Sequence, residues 1–377
     1  MRIAILTLPL HTNYGGILQA YALQHVLQGM GHEVVVIDEE KHFKFSLKRR
    51  IEMYVKGKIK RLLLGKNAII YSPEYYKQLW YARTRHTSRF VNEHVKRKLV
   101  GSVNEIGEHD FDAFVVGSDQ IWRMRYAKIF PGVENAFLWF TKEWNVKRIA
   151  YAASFGTDEW EYNAKETETL ALMAHKFDAI SVREISGVKL CQEQLGVEAV
   201  HMIDPTLLLE AEDYTQLLKS DTSSSTGNMM CYVLDGNAEK ESLINDVASK
   251  KNLTPYHANS STENPKATLE ERVQPPVEQW IQGFRDAEFI VTDSFHACIF
   301  AILYKKPFIA IGNKSRGMTR FESLLQTFGL EDCLVSSYDD YKLKEEKILQ
   351  PIDYERVHHT LNAMRSKSIG FLHDSLG

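Results

Sequence analysis

Apolar and polar positions fall into repeating blocks along the chain. Ile3 to Leu8 is a short apolar run of the length a buried strand uses. Turn residues follow at Thr12, Asn13, Tyr14, Gly15 and Gly16. Ile17, Leu18, Ala20, Tyr21, Leu23, Val26 and Leu27 then recur at helical spacing, up to Gly29 and Gly31. Val34 to Asp38 is a second apolar run. Strand, glycine turn, helix and strand make one βαβ unit, whose crossover implies a parallel sheet. The same alternation predicts strands at 112–118, 148–154, 179–182 and 200–203. Asp221 to Asn228 is rich in Ser and Thr and reads as a linker, with the hinge there or nearer 207–214. Beyond it, strands are predicted at 229–234, 289–292 and 308–311, with helices at 238–251, 275–286 and 297–304. A last helix covers 352–375.

This predicts an α/β chain with two Rossmann-like domains, each a parallel sheet flanked by helices. The expected division is 1–210, 211–350 and a C-terminal helical segment, 351–377, that packs back. The 377 residues are long enough for two such domains. The balance of 46 Lys and Arg against 49 Asp and Glu leaves no global basic field, so nucleic acid is not an expected partner. The four cysteines are far apart and carry no metal or redox spacing. With no signal-like start and no membrane-length apolar run, a cytoplasmic location is the expectation.

Ligands of open α/β sheets bind beyond the carboxyl ends of the strands. The polar residues expected there are Thr12, Asn13, Gly15 and Gly16, then Ser118, Asp119 and Gln120, Ser154 and Phe155, and Arg183 with Glu184. In the second half they are Asp293, Ser294, Phe295 and His296, followed by Asn313 to Arg320. Two such rims facing each other make an interdomain cleft. Asn13 to Gly16 can offer backbone N–H groups to an anion, or be only a tight turn. The segment is not GxGxxG, and the chain has no P-loop. Arg183 can grip a carboxylate or phosphate, or pair with Glu184 or Asp178. His296 can act as an acid or base at a helix start, or be a satisfied structural group.

Several of these segments together resemble a known family. Asn13-Tyr14-Gly15-Gly16-Ile17-Leu18-Gln19-Ala20-Tyr21-Ala22-Leu23-Gln24 is similar to the opening motif of the polysaccharide pyruvyl transferases. So are Val116-Gly117-Ser118-Asp119-Gln120-Ile121-Trp122, Tyr151 to Gly156, and Ser181-Val182-Arg183-Glu184. Ile203-Asp204-Pro205-Thr206 and Thr292-Asp293-Ser294-Phe295-His296-Ala297 complete the set. The resemblance runs in order from residue 1 to about 330.

It implies a GT-B-like fold and transfer of a pyruvyl group from phosphoenolpyruvate to two sugar hydroxyls, giving a pyruvate ketal and phosphate. It places Arg183 on the donor and His296 as general acid. Family members often carry arginine two positions before this histidine, where this chain has Ser294. Arg316 or Arg320 is then the expected replacement cation. Asp119 can take the proton of the attacking hydroxyl or cap a turn. Asp293 can orient His296 or cap its helix. No step requires a metal or organic cofactor. The partners implied are phosphoenolpyruvate and a sugar acceptor, free of or bearing a nucleotide or lipid carrier. Two rival readings are a GT-B glycosyltransferase using a nucleotide sugar, and a degenerate family member that binds without turnover.

Residues 41–66 break the pattern, with ten Lys or Arg and one acid, Glu52. Phe45, Ile51, Val55, Ile59, Leu62 and Leu63 can share a helical face. Such a segment suits peripheral contact with anionic lipid or a lipid-diphosphate sugar; the plainer reading is a solvated helix. Trp122, Tyr126, Trp139, Phe140 and Trp144 can stack on sugar rings or pack internally; Trp122 has the best position, just after the Ser118-Asp119 turn.

Overall fold

The computed structural model describes residues 1–41, 43, 45–64, 72–218, 226–259, 267–313 and 317–377. Seven strands form the first sheet: β1 Arg2–Leu6, β2 Glu33–Glu39, β3 Arg97–Val100, β4 Ala113–Val116, β5 Lys147–Ala153, β6 Ala179–Val182 and β7 Val200–His201. Five form the second: β8 Met229–Tyr232, β9 Pro255–His257, β10 Phe289–Thr292, β11 Phe308–Ile311 and β12 Leu334–Val335. The spatial orders are 3-2-1-4-5-6-7 and 12-11-10-8-9. Every pairing is parallel. The apolar strand runs are therefore buried on both faces, as parallel sheets require; Ile3 to Leu6, Ala113 to Val116 and Phe289 to Val291 are all interior.

The two orders decide where a ligand can sit. In the first sheet the winding reverses between neighbours β1 and β4; in the second it reverses between β8 and β10. Crevices open at these switch points. The loop after β1 leads into helix α1 (Tyr14–Gly29), and the loop after β10 leads into the helix Phe295–Leu303.

The lobes are held together across these crevices. The Tyr14 hydroxyl donates to the Pro275 carbonyl at 2.6 Å, and Gln274 Nε2 donates to the Thr12 carbonyl at 2.5 Å. The helix Pro73–His94 reaches across with Arg89, whose guanidinium contacts both Glu278 oxygens at 2.8 Å. The C-terminal helix Tyr354–Leu376 touches both lobes. His358 contacts the Ile302 carbonyl, and Arg365 donates to the carbonyls of Leu207 and Leu209. One apolar core accordingly contains residues of both sheets, including Ile3, Ile149, Ile290 and Phe300.

Three strands escape the sequence pattern: β3, β9 and β12. Each is two to four residues long. All three are edge strands, and none carries a continuous apolar run of strand length: β3 reads Arg-Lys-Leu-Val and β9 Pro-Tyr-His. The predicted linker at 221–228 lies largely outside the described residues.

Candidate active site

A cavity of about 360 Å³ lies between the two switch points. Its wall on the first lobe includes Thr12, Asn13, Tyr14, Gly15, Asp119, Gln120 and Tyr126. The second lobe contributes Leu234, Gln274, Trp280, Asp293, Ser294, Phe295, His296 and Arg320. Two helices thus begin at the cavity, one at Tyr14 and the other at Phe295. Their unpaired first-turn N–H groups and helix dipoles both favour an anion there.

His296 sits in the first turn of its helix and is 5% exposed. It packs directly on α1 of the other lobe. A Cβ built on Gly15 would stand 2.0 Å from His296 Nδ1, so position 15 has room only for hydrogen. On its other edge, His296 Nε2 lies 3.5 Å from Asp204 Oδ2.

Asp204 is 1% exposed and is the centre of a buried network. Its Oδ2 accepts from Arg183 Nη1 at 2.6 Å and from the Ser118 hydroxyl at 3.1 Å. Its Oδ1 accepts from Thr206 N at 3.0 Å and Thr206 Oγ1 at 2.7 Å. Burial opposes the charge on Asp204. The neighbouring His296, the Arg183 guanidinium and the Thr206 hydroxyl outweigh it and hold the carboxyl well below the usual carboxylate range.

Arg183 also stands 3.6 Å from Glu184 and lies against the Phe295 ring, with Cζ 4.5 Å from its centroid. Glu184 in turn accepts a hydrogen bond from Ser154. Arg320 approaches the same ring, with Cζ at 5.2 Å. Burial and repulsion from Arg183 push the Arg320 guanidinium down to about 10. The charge of Arg183 is countered by Asp204 and Glu184, so Arg320 is the guanidinium that lines the cavity beside Phe295.

Asp119 is buried, with φ of +44°, a left-handed conformation that Asp adopts more readily than most residues. Its Oδ2 accepts from Asn13 Nδ2 at 3.2 Å, and its Oδ1 accepts from Gln120 N at 2.9 Å. The loop before Arg320 meets the first lobe at Gly317. There φ is +99°, and a Cβ would lie 2.2 Å from the Gly156 carbonyl oxygen.

The structure gathers Asn13, Gly15, Asp119, Asp293, Ser294, His296 and Arg320 around the cavity. Gly16 lies just behind, with room for its own hydrogen between Asn13 and Asp119. Ser118 is interior and serves the Asp204 network. Three expectations need correction. Arg183 does not line the cavity: its Nη1 donates to Asp204 and Ser118, and its Nε and Nη2 are buried without a hydrogen-bond partner. Asp293 neither orients His296 nor caps the helix. Its oxygens accept from the N–H groups of Leu234 and Asp235 and from Lys240 Nζ at 2.7 Å, and Ser294 is the residue at the cap position. Trp122 is fully buried, stacked on Phe137 with centroids 4.4 Å apart, and cannot meet a sugar. Of the proposed aromatics, Tyr126 reaches the cavity. Arg316 lies outside the described residues.

Sequence reasoning assigned no role to Asp204, Gln274 or Trp280. Asp204 did lie within a recognised motif, but its meeting with His296 joins residues 92 positions apart and needs the fold.

Two parallel sheets with flanking helices and a cleft at facing switch points define a two-lobed architecture resembling GT-B-fold enzymes. Solved structures agree. UDP-GlcNAc 2-epimerase from Neisseria meningitidis bound to UDP-GlcNAc superposes with a TM-score of 0.52 at 12% identity, covering 100% of this chain and 99% of that one. UDP-N-acetylglucosamine 2-epimerase from Rickettsia bellii gives 0.52 at 10% identity, covering 99% and 96%. At such identities the likeness is one of fold. No curated protein matches the sequence. The family model for polysaccharide pyruvyl transferase matches residues 13–315, most of the chain. The chain belongs to the polysaccharide pyruvyl transferase family, an enzyme family of pyruvyl transfer in polysaccharide biosynthesis.

Proposed function

We propose that the cavity binds phosphoenolpyruvate against Arg320 and the first turns of α1 and the helix Phe295–Leu303, and that His296 protonates it. The observation that carries this reading is the convergence on one cavity of two helix N-termini, a buried guanidinium and an imidazole backed by a carboxylate. Phosphoenolpyruvate is a small trianion with a phosphate and a carboxylate, and it needs one proton on carbon.

Asp204 faces Nε2, so the proton leaves from Nδ1 on the Gly15 side. It goes to the methylene carbon, which becomes methyl, and positive character develops at the carbon bearing phosphate and carboxylate. One sugar hydroxyl attacks that carbon and the phosphate departs. A second hydroxyl closes the ring. Of the two hydroxyl protons released, one restores the imidazolium and the other leaves with the phosphate. General acid catalysis of this kind contributes ~10²–10⁴-fold. Arg320 and the helix N-termini stabilise the leaving phosphate.

Asp119, at the α1 side of the cavity, accepts the proton of the attacking hydroxyl and passes it to the departing phosphate. Ser294 lines the cavity at the position where family members often carry arginine, which leaves Arg320 as the donor cation. Arg183 and Ser118 hold Asp204 in place. The acceptor is a sugar, free of or bearing a nucleotide or lipid carrier.

The test is incubation of the purified protein with phosphoenolpyruvate and a panel of nucleotide- and lipid-linked sugars, followed by phosphate release and product mass. The reading expects phosphate together with a sugar heavier by one pyruvate less one water, both lost in His296→Asn. Product formation from a nucleotide sugar without phosphoenolpyruvate would contradict it.

A further inference from the structure

Residues Leu47–Leu64 form one helix of 18 residues. At 100° per residue, Leu47, Ile51, Tyr54, Val55, Ile59 and Leu62 share an arc of roughly 140°. All six are exposed, Leu62 by 85%, Leu47 by 74% and Tyr54 by 62%. Among the described residues of the helix, Met53 and Gly57, on its far side, are buried. The helix therefore turns its apolar stripe away from the protein. An exposed apolar stripe of this size on a soluble lobe needs a covering partner.

The charge around the stripe selects that partner. Lys48, Arg50, Lys58 and Arg61 stand in or beside it, all exposed. Segment 41–66 carries ten cations and one acid, and that acid, Glu52, is paired with Arg49 at 3.5 Å. The whole chain, by contrast, has a formal charge of −3. A cationic helix with an outward apolar face is the pattern of an element that lies in the headgroup region of an anionic bilayer. Among the described residues no helix is long and apolar enough to cross a membrane, so the contact is with the surface.

The start of the helix is linked to the cavity rim by a chain of contacts. The segment leading into the helix packs on Trp80, with Lys41 Nζ 4.9 Å from the ring and Phe43 at 6.2 Å between centroids. Trp80 meets His11 edge to face at 4.6 Å, and the next residue, Thr12, lines the cavity.

We propose that residues 47–64 dock the enzyme on an anionic phospholipid surface, Leu47, Ile51, Val55, Ile59 and Leu62 entering the headgroup layer and Lys48, Arg50, Lys58 and Arg61 meeting lipid phosphates. The contact presents the cavity mouth to the membrane side. It does not depend on the donor reading, because it is measured without substrate.

The test is flotation of the purified chain with phosphatidylcholine vesicles and with vesicles containing phosphatidylglycerol, at low and high salt. Wild type is expected to float with the anionic vesicles alone, and less so at high salt. Ile51→Glu/Ile59→Glu removes the stripe and Arg50→Gln/Arg61→Gln removes cations; each is expected to weaken binding roughly tenfold or more while the melting temperature holds. Absence of flotation with anionic vesicles at low salt would overturn the proposal. So would unchanged binding of both variants. Sedimentation of wild type as a dimer that Ile51→Glu/Ile59→Glu dissociates, with no vesicle binding, would assign the stripe to a second copy and overturn it equally.

Discussion

The imidazole of His296 occupies the space that a side chain at position 15 would need: a Cβ on Gly15 would fall 2.0 Å from Nδ1. One lobe thus supplies the acid and the other the surface that positions it. Gly15→Ala forces either His296 or the lobe contact to move. The expected result is a fall in kcat of about a hundredfold, the scale of an ångström-sized misplacement of a catalytic group, with each sheet still folded. Turnover and near-ultraviolet circular dichroism of Gly15→Ala check this. Wild-type turnover would show that His296 has freedom the packing denies.

His296 and Asp293 are three residues apart and differ in their consequences. His296→Asn is expected to lower turnover by ~10²–10⁴-fold, and also to cost some stability because His296 helps keep the buried Asp204 ionised. Asp293→Asn breaks the buried pair with Lys240 and weakens the bonds that hold the backbone at Leu234 and Asp235. It is expected to cost about 1.5–3 kcal/mol of stability. Urea unfolding of the two variants, beside turnover, distinguishes a reacting group from a structural one.

Asp204→Asn tests the buried network from the charge side. The substitution keeps the shape but removes the carboxylate 2.6 Å from the buried Arg183, leaving it Glu184 at 3.6 Å. Removing one partner of a buried pair costs about 3–5 kcal/mol. Stability to urea at neutral pH is expected to fall by that amount, and turnover to fall with the loss of the carboxylate beside Nε2.

The same carboxylate sets an acid limit. Its folded value is depressed below the unfolded value of about 3.9, so its contribution is fully present above pH ~4 and is lost as pH falls toward the folded value. Wild-type stability is therefore expected to drop below pH ~4 with a component that Asp204→Asn lacks. Urea midpoints from neutral pH down to pH ~3 measure it; parallel curves for the two proteins would contradict the assignment.

Much of the fold was legible because parallel sheets bury both faces of each strand. The runs at 179–182, 289–292 and 308–311 coincide with strands to the residue. The helix Pro73–His94 was not, since its polar face mixes with Tyr and Trp and leaves no clean stripe. The membership of the cavity wall was legible for Asn13, Asp119, His296 and Arg320, because strand ends can be read locally. Which of two buried arginines faces the cavity could not be read. Arg183 and Arg320 both follow strands and both approach Phe295, and only the position of Asp204 assigns Arg183 to the interior. Asp293 misled for a similar reason: its spacing from His296 suits a cap, but the loop after β8 claims both of its oxygens.

The central claim is that Arg320 binds the anionic donor, and its most direct measurement is the melting temperature of wild type and Arg320→Gln with and without phosphoenolpyruvate. At about 100 times its Kd a ligand adds ~2.7 kcal/mol, which is a clear shift. The unliganded melting temperature and circular dichroism of Arg320→Gln establish that it is folded. The account predicts a shift with phosphoenolpyruvate in wild type and its loss in an otherwise folded Arg320→Gln. An equal shift in both proteins, or a shift with sugar nucleotides and none with phosphoenolpyruvate, would contradict it.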